Sequence, residues 1–216
     1  MIEIIPSILT NNLVEAKQML AQAEGASKRV HVDIIDGVFA NNKTIIPQNL
    51  LGTETELLID YHLMVEDPIK WVEACAHSSA DRIIAQVEMT PSQLEFVQKI
   101  TQIGLGVGLA IDLDTPVEKL DPEILTDVDV VLVMGVEAGF GGQKFNPTSL
   151  EKIKALNAIR KNDPTPFVIC ADGGETLETI DDVTAAGADE VVIGRRLFEG
   201  DIRENINKFI QAATNV

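Results

Sequence analysis

The sequence predicts a closed (β/α)8 TIM barrel spanning residues 1–216 as one domain, and three observations carry that prediction. Short apolar runs alternate with longer amphipathic ones from end to end. Eight apolar runs in 216 residues give about 27 residues per unit, the size of a strand–helix repeat in this fold. The core is aliphatic: 45% of residues are hydrophobic but only 4% aromatic, which suits strands buried on both faces. A doubly wound open sheet is the rival, but it usually has fewer strands and a reversal of strand order. No Pro-, Gly- or Ser-rich linker divides the chain.

The strand candidates are 2–5, 29–33, 57–63, 82–87, 105–111, 128–134, 166–171 and 189–193. Helical patterns between them include 11–23, 67–77, 91–103, 148–161, 175–186 and 201–213. Asp67-Pro68, Thr90-Pro91-Ser92 and Pro147-Thr148 place a capping side chain or a proline at helix entries. Gly104 and Gly187 fall where helices should stop.

Charge and cysteine usage narrow the function classes. With 34 acidic against 17 basic residues, the net charge of −17 repels nucleic acid and anionic membranes, so neither is expected as a partner. A phosphorylated ligand would need local donors such as backbone N–H groups. Cys75 and Cys170 are far apart and outside any CxxC pattern, which fits a reducing cytosol. The chain opens on the strand-like run Ile2–Ile5, and no run approaches the length of a membrane span, so a cytoplasmic location is expected.

In this fold the working face lies at the C-terminal ends of the strands. The second strand ends Arg29-Val30-His31-Val32-Asp33, where His31 and Asp33 share a face because they are two apart. The third ends Asp60-Tyr61-His62-Leu63-Met64, and the seventh Cys170-Ala171-Asp172-Gly173-Gly174. Two of the three histidines and two aspartates thus converge at one barrel mouth, a donor set suited to Zn²⁺, Mn²⁺, Fe²⁺ or Co²⁺. Hydrogen-bonded rim residues are the plain alternative for any one of them taken alone. His77, near a helix end, is explained by the last carbonyls there. Gly139, Gly141 and Gly142 follow the sixth strand, Gly173 and Gly174 the seventh, and Gly194-Arg195 the eighth. Glycine turns in three successive loops predict a backbone cradle for a phosphate.

These pieces resemble the ribulose-phosphate 3-epimerase family over nearly the whole chain. The matching segments are Pro6-Ser7-Ile8-Leu9, His31-Val32-Asp33, Asp36-Gly37, His62-Leu63-Met64, Thr115-Pro116, Gly139 to Phe145 and Asp172-Gly173-Gly174. Their shared order and spacing carry the signal. The resemblance implies one divalent metal ion bound by His31, Asp33, His62 and Asp172, with Asp33 and Asp172 doing the acid/base work. It also implies a small phosphorylated ketose as substrate and a homo-oligomer, dimer or hexamer. Inverting a carbon beside a carbonyl needs a proton removed from one face and returned to the other, with a flat enediolate between, so two carboxylates are wanted. Ser7 and His62 would then contact substrate, with Met64 and Met134 packed against the intermediate.

The match departs from the family pattern at the mouth. Ile35 stands where a third methionine is usual, Gln86 where the fourth strand commonly has a histidine, and Asp112-Leu113 where an Asn-Pro is common. Glu137-Ala138 replaces an Asn/Glu-Pro, Ala40-Asn41-Asn42 a Val-Pro-Asn, and Arg195-Arg196 a small serine after the eighth strand. These changes spare the proton-transfer set and leave three readings open. They are epimerisation of ribulose 5-phosphate to xylulose 5-phosphate, epimerisation of another ketose phosphate such as a hexulose 6-phosphate, and a barrel that binds without turnover. A sugar-phosphate decarboxylase on the related barrel would carry Asp-x-Lys-x-x-Asp at the third strand; Asp60 to Val65 lacks both the lysine and the second aspartate.

Overall fold

The computed structural model describes residues 2–161 and 166–213. Eight parallel strands close into a barrel in chain order. They are β1 (Glu3–Ile8), β2 (Arg29–Ile35), β3 (Leu58–Met64), β4 (Ala80–Gln86), β5 (Gly106–Ile111), β6 (Val130–Met134), β7 (Val168–Asp172) and β8 (Glu190–Ile193). Among the described residues, seven α-helices accompany them: α1 (Leu13–Ala23), α2 (Val72–His77), α3 (Gln93–Gln102), α4 (Ser149–Arg160), α5 (Ile180–Ala186), α6 (Arg195–Phe198) and α7 (Ile202–Ala212). The connections β2–β3 and β5–β6 carry short 3-10 turns instead of an α-helix.

The period-2 alternation of each strand divides its side chains between two cores. Val30, Val32, Ile34 and Leu63 face outward and pack under the helices. Ile5, Ile35, Met64, Ile84, Leu132, Met134, Cys170 and Val192 fill the barrel interior. On β5 the interior positions are small: Gly106, Gly108 and Ala110. A Cβ at Gly106 would collide with Arg82, and one at Gly108 with Ile84 and Val130, so the small residues admit large neighbours. The helices start where side chains accept orphan N–H groups: Asn12 caps α1, Ser92 caps α3 and Asp201 caps α7. Gly187 ends α5 in the left-handed conformation at φ 118.

Several boundaries differ from the sequence pattern. β1 continues past its apolar run through Pro6 and Ser7 to Ile8, because Ser7 pairs with His31 and Pro6 with Ile193. The 67–77 pattern splits into a 3-10 turn, Pro68–Trp71, and α2. Neither Asp67 nor Thr148 makes a capping bond. The 175–186 pattern becomes helical only at Ile180. Gly173 and Gly174 both take positive φ ahead of it, and Glu175 turns its carboxylate back onto the Gly173 N–H, 2.8 Å away. The four-residue α6 is an addition that the apolar periodicity does not reveal. His77 closes the last turn of α2, and both cysteines are buried free thiols. Among the described residues, no helix is long and apolar enough to cross a membrane.

At the N-terminal ends of the strands, charged residues occupy the interior. Arg82 of β4 donates to both oxygens of Asp60 on β3 and, at 3.0 and 2.7 Å, to both oxygens of Glu190 on β8. Arg29 of β2 bridges Asp60 and Asp81.

Candidate active site

The opposite, C-terminal end of the barrel assembles the predicted polar residues. β2 and β3 pair in register, which puts His31 beside Asp60 and Asp33 beside His62. Alternation then turns His31, Asp33 and His62 to the interior, where Asp172 at the end of β7 meets them. One ligand atom from each of the four lies within 4.8 Å of the others. His62 Nδ1 is 3.1 Å from Asp33 Oδ1 and 3.7 Å from Asp172 Oδ2. His31 Nε2 is 3.4 Å from Asp33 Oδ1 and 3.6 Å from Asp172 Oδ2. The same four atoms recur in every contact, so they face one point. Ser7 holds the other Asp33 oxygen, its hydroxyl donating to Oδ2 at 2.7 Å.

The donor set fits a divalent cation. His31 is fully buried, yet neither of its ring nitrogens makes a hydrogen bond. An unpartnered buried imidazole is costly unless something else satisfies it. Two imidazole nitrogens and two carboxylate oxygens converging on one point are the ligands that Zn²⁺, Mn²⁺, Fe²⁺ or Co²⁺ accepts.

The electrostatics separate the two carboxyls. Burial pushes Asp33 up, but the adjacent His31 and His62 imidazoles outweigh it and hold Asp33 well below the usual carboxylate range. Burial and the neighbouring Asp33 charge push Asp172 up. Burial would lower His31, but Asp33, Asp172 and Asp60 together raise it. Two carboxyls with opposite shifts are the arrangement that acid/base chemistry uses.

Above this floor opens a cavity of about 720 Å³. Ser7, Asp33, Met64, Met134 and Asp172 line its base, and Gly139, Gly141, Gly142, Gly173, Gly174, Gly194 and Arg195 line its wall. His31 and His62 are fully buried and lie beneath the wall rather than on it. Arg195 is exposed, but its guanidinium leans over Gly142 so closely that a Cβ there would strike it. The glycine loops and this arginine therefore share one side of the cavity.

The motifs assign no role to three further site residues. Asn42 donates through Nδ2 to the Gly139 carbonyl at 2.8 Å and ties the β2 loop to the β6 loop. Glu175 lines the cavity although it is 1% exposed, and its Oε1 lacks a partner. Burial first, and the Asp172 charge second, push its carboxyl up to about 8. Gln86 lies against His62, and its inward place two residues beyond Ile84 on β4 was the available signal.

Comparison with known proteins agrees with this geometry. The family model described as the ribulose-phosphate 3 epimerase family matches residues 3–198. The chain is 33% identical over 202 residues to the ribulose-phosphate 3-epimerase of Bacillus subtilis, covering 92% of this chain and 93% of that protein. It is 35% identical over 227 residues to the cytoplasmic isoform of Oryza sativa, covering 99% and 96%. Among solved structures, a 3-keto-L-gulonate-6-phosphate decarboxylase from Vibrio cholerae superposes with a TM-score of 0.71 at 12% identity, covering 98% of this chain and 97% of that one. An orotidine 5'-phosphate decarboxylase from Pyrococcus horikoshii gives 0.67 at 16% identity, covering 99% and 100%. At such identities these two show the shared barrel alone. The family match over most of the chain, joined to the donor set at the mouth, decides the assignment: the chain belongs to the ribulose-phosphate 3-epimerase family.

Proposed function

We propose that this chain epimerises C3 of a ketose phosphate, interconverting D-ribulose 5-phosphate and D-xylulose 5-phosphate. The observation that carries the reading is the meeting of Asp33 and Asp172, from strands three positions apart around the barrel, at the floor of a cavity walled by glycine loops. Asp33 and Asp172 work as the two bases. One removes the C3 proton, the electrons of that C–H bond move toward the C2 carbonyl, and the other aspartate returns a proton to C3 from the opposite face. Ser7, by donating to Asp33 Oδ2, fixes which oxygen of Asp33 faces the substrate and the other ligand atoms. A divalent cation held by His31, Asp33, His62 and Asp172 would supply Lewis-acid stabilisation of the charge growing on the substrate oxygens.

The remaining wall residues bind and shield. Met64 and Met134 are buried and present polarizable sulfur to the flat intermediate while excluding water. Backbone N–H groups of the loops carrying Gly141, Gly142, Gly173, Gly174 and Gly194 cradle the phosphate, and the Arg195 guanidinium adds a charged donor beside Gly142. That donor offsets, locally, the repulsion between the acidic surface and an anionic substrate.

Following solvent hydrogen exchange at C3 alongside a coupled turnover assay tests the two-base scheme. Asp33→Asn and Asp172→Asn should each lower turnover by ~10²–10⁴-fold. Full turnover in either variant would end the two-base reading. The same assay on a panel of pentulose and hexulose phosphates identifies the substrate.

A further inference from the structure

The two buried histidines of the site are not held alike. The outer nitrogen of His31 has no partner. The outer nitrogen of His62, Nε2, lies 3.1 Å from the Gln86 side-chain amide, and both residues are fully buried. The orientation of that amide decides which nitrogen of His62 carries the proton. With its NH2 turned to His62, the Gln86 oxygen would face only acceptors. With its oxygen turned to His62, the NH2 donates to Glu88 Oε2 at 2.8 Å and to the Ala110 carbonyl at 3.3 Å, and the oxygen accepts from His62 Nε2. Buried polar groups adopt the arrangement that satisfies them, so the second orientation holds.

Glu88 is itself fixed. Its other oxygen, Oε1, accepts the Asp112 N–H at 2.8 Å, and Asp112 Oδ1 accepts the Ala138 N–H at 2.9 Å. A continuous hydrogen-bonded chain therefore runs from the loop after β6, across the β5 and β4 ends, to His62. Gln86, Asp112 and Ala138, three of the positions that depart from the family pattern, are members of it.

We propose that Gln86, oriented by Glu88, is a positioning residue that keeps the His62 proton on Nε2 and so leaves Nδ1 as the nitrogen facing Asp33. This inference rests on the metal reading of the site only for its consequence, since Nδ1 and Asp33 Oδ1 both present lone pairs to one point 3.1 Å apart. A cation between them removes that conflict. Groups that orient a ligating imidazole from behind typically change metal affinity by about 10–100-fold when removed.

Long-range ¹H–¹⁵N correlation on the full chain labelled with [¹⁵N]histidine reads the proton directly, metal-free and with Zn²⁺ added. The expected result is a protonated Nε2 on His62 in both states. In Gln86→Leu, a change of similar volume, that proton should exchange with solvent faster, and Zn²⁺ affinity measured by chelator competition should fall roughly 10–100-fold. An unprotonated Nε2 in the wild-type chain, or a Gln86→Leu variant with unchanged proton exchange and Zn²⁺ affinity, overturns the assignment. Failure of the wild-type chain to take up Zn²⁺ would instead defeat the metal reading, while the metal-free spectrum still decides the role of Gln86.

Discussion

The barrel interior holds two buried polar clusters, one at each end, and they are built on opposite principles. At the N-terminal end, Arg82 is saturated by Asp60 and Glu190, and Arg29 reaches Asp60 and Asp81. Cations stand among carboxylates there, and no charged atom of that set is left without a partner among the described residues. At the C-terminal end, two carboxylates meet two imidazoles, and both nitrogens of His31 are orphaned. Both sets are buried and both are charged. What distinguishes them is satisfaction: the lower set pairs its charges with one another, whereas the upper set leaves the His31 nitrogens without a protein partner, the donor capacity that a cation site uses. Function in this molecule is marked by unmet bonding capacity rather than by burial or charge as such.

Removing one partner from the lower set should have the largest effect on stability. Arg82→Met leaves Asp60 and Glu190 as uncompensated buried carboxylates and should cost ~3–5 kcal/mol, read as a lower denaturation midpoint. Asp172→Asn should behave in the opposite way. It mimics the neutral form that burial and Asp33 already favour, so the metal-free protein should keep or gain stability while turnover is lost. A stable Arg82→Met, or an Asp172→Asn variant as unstable as it, would erase the contrast drawn between the two ends.

Glu175 offers a smaller test that separates strain from ligand need. Burial first and the Asp172 charge second hold its carboxyl at about 8 against an ordinary 4.5, with the opposing Arg196 charge too weak to reverse them. A carboxyl raised on folding contributes fully to stability below its unfolded pKa. That contribution is lost as pH climbs through about 4.5 and is gone above about 8. Glu175→Gln removes the penalty, so Tm at about pH 8 should rise by roughly 2–8 °C, and the fall in stability over that window should flatten. Thermal melts of both proteins across that range measure it, and parallel curves would contradict the account.

Much of this is legible in the sequence. Alternation along β2 put His31 and Asp33 on one face, and strand ends brought His62 and Asp172 to the same mouth. The lower cluster was not legible, because Arg82 meets Asp60 and Glu190 across separations of 22 and 108 residues, which only barrel closure brings together. Gln86 stood out as a departure from a pattern, but its partner Glu88 and its grip on His62 depend on register between strands. Glu175 sat at the head of a helical pattern, and only the positive φ of Gly173 and Gly174 shows that the chain turns it inward instead.

On this reading a single cation completes the upper cluster. Metal titration of the chelator-treated chain, followed by isothermal calorimetry with Zn²⁺ and Mn²⁺, addresses it most directly. About one ion should bind per wild-type chain and none to the His31→Ala/His62→Ala double variant, because two of four ligands are then gone. A wild-type chain that binds no ion, or a double variant that binds as tightly as wild type, would contradict it.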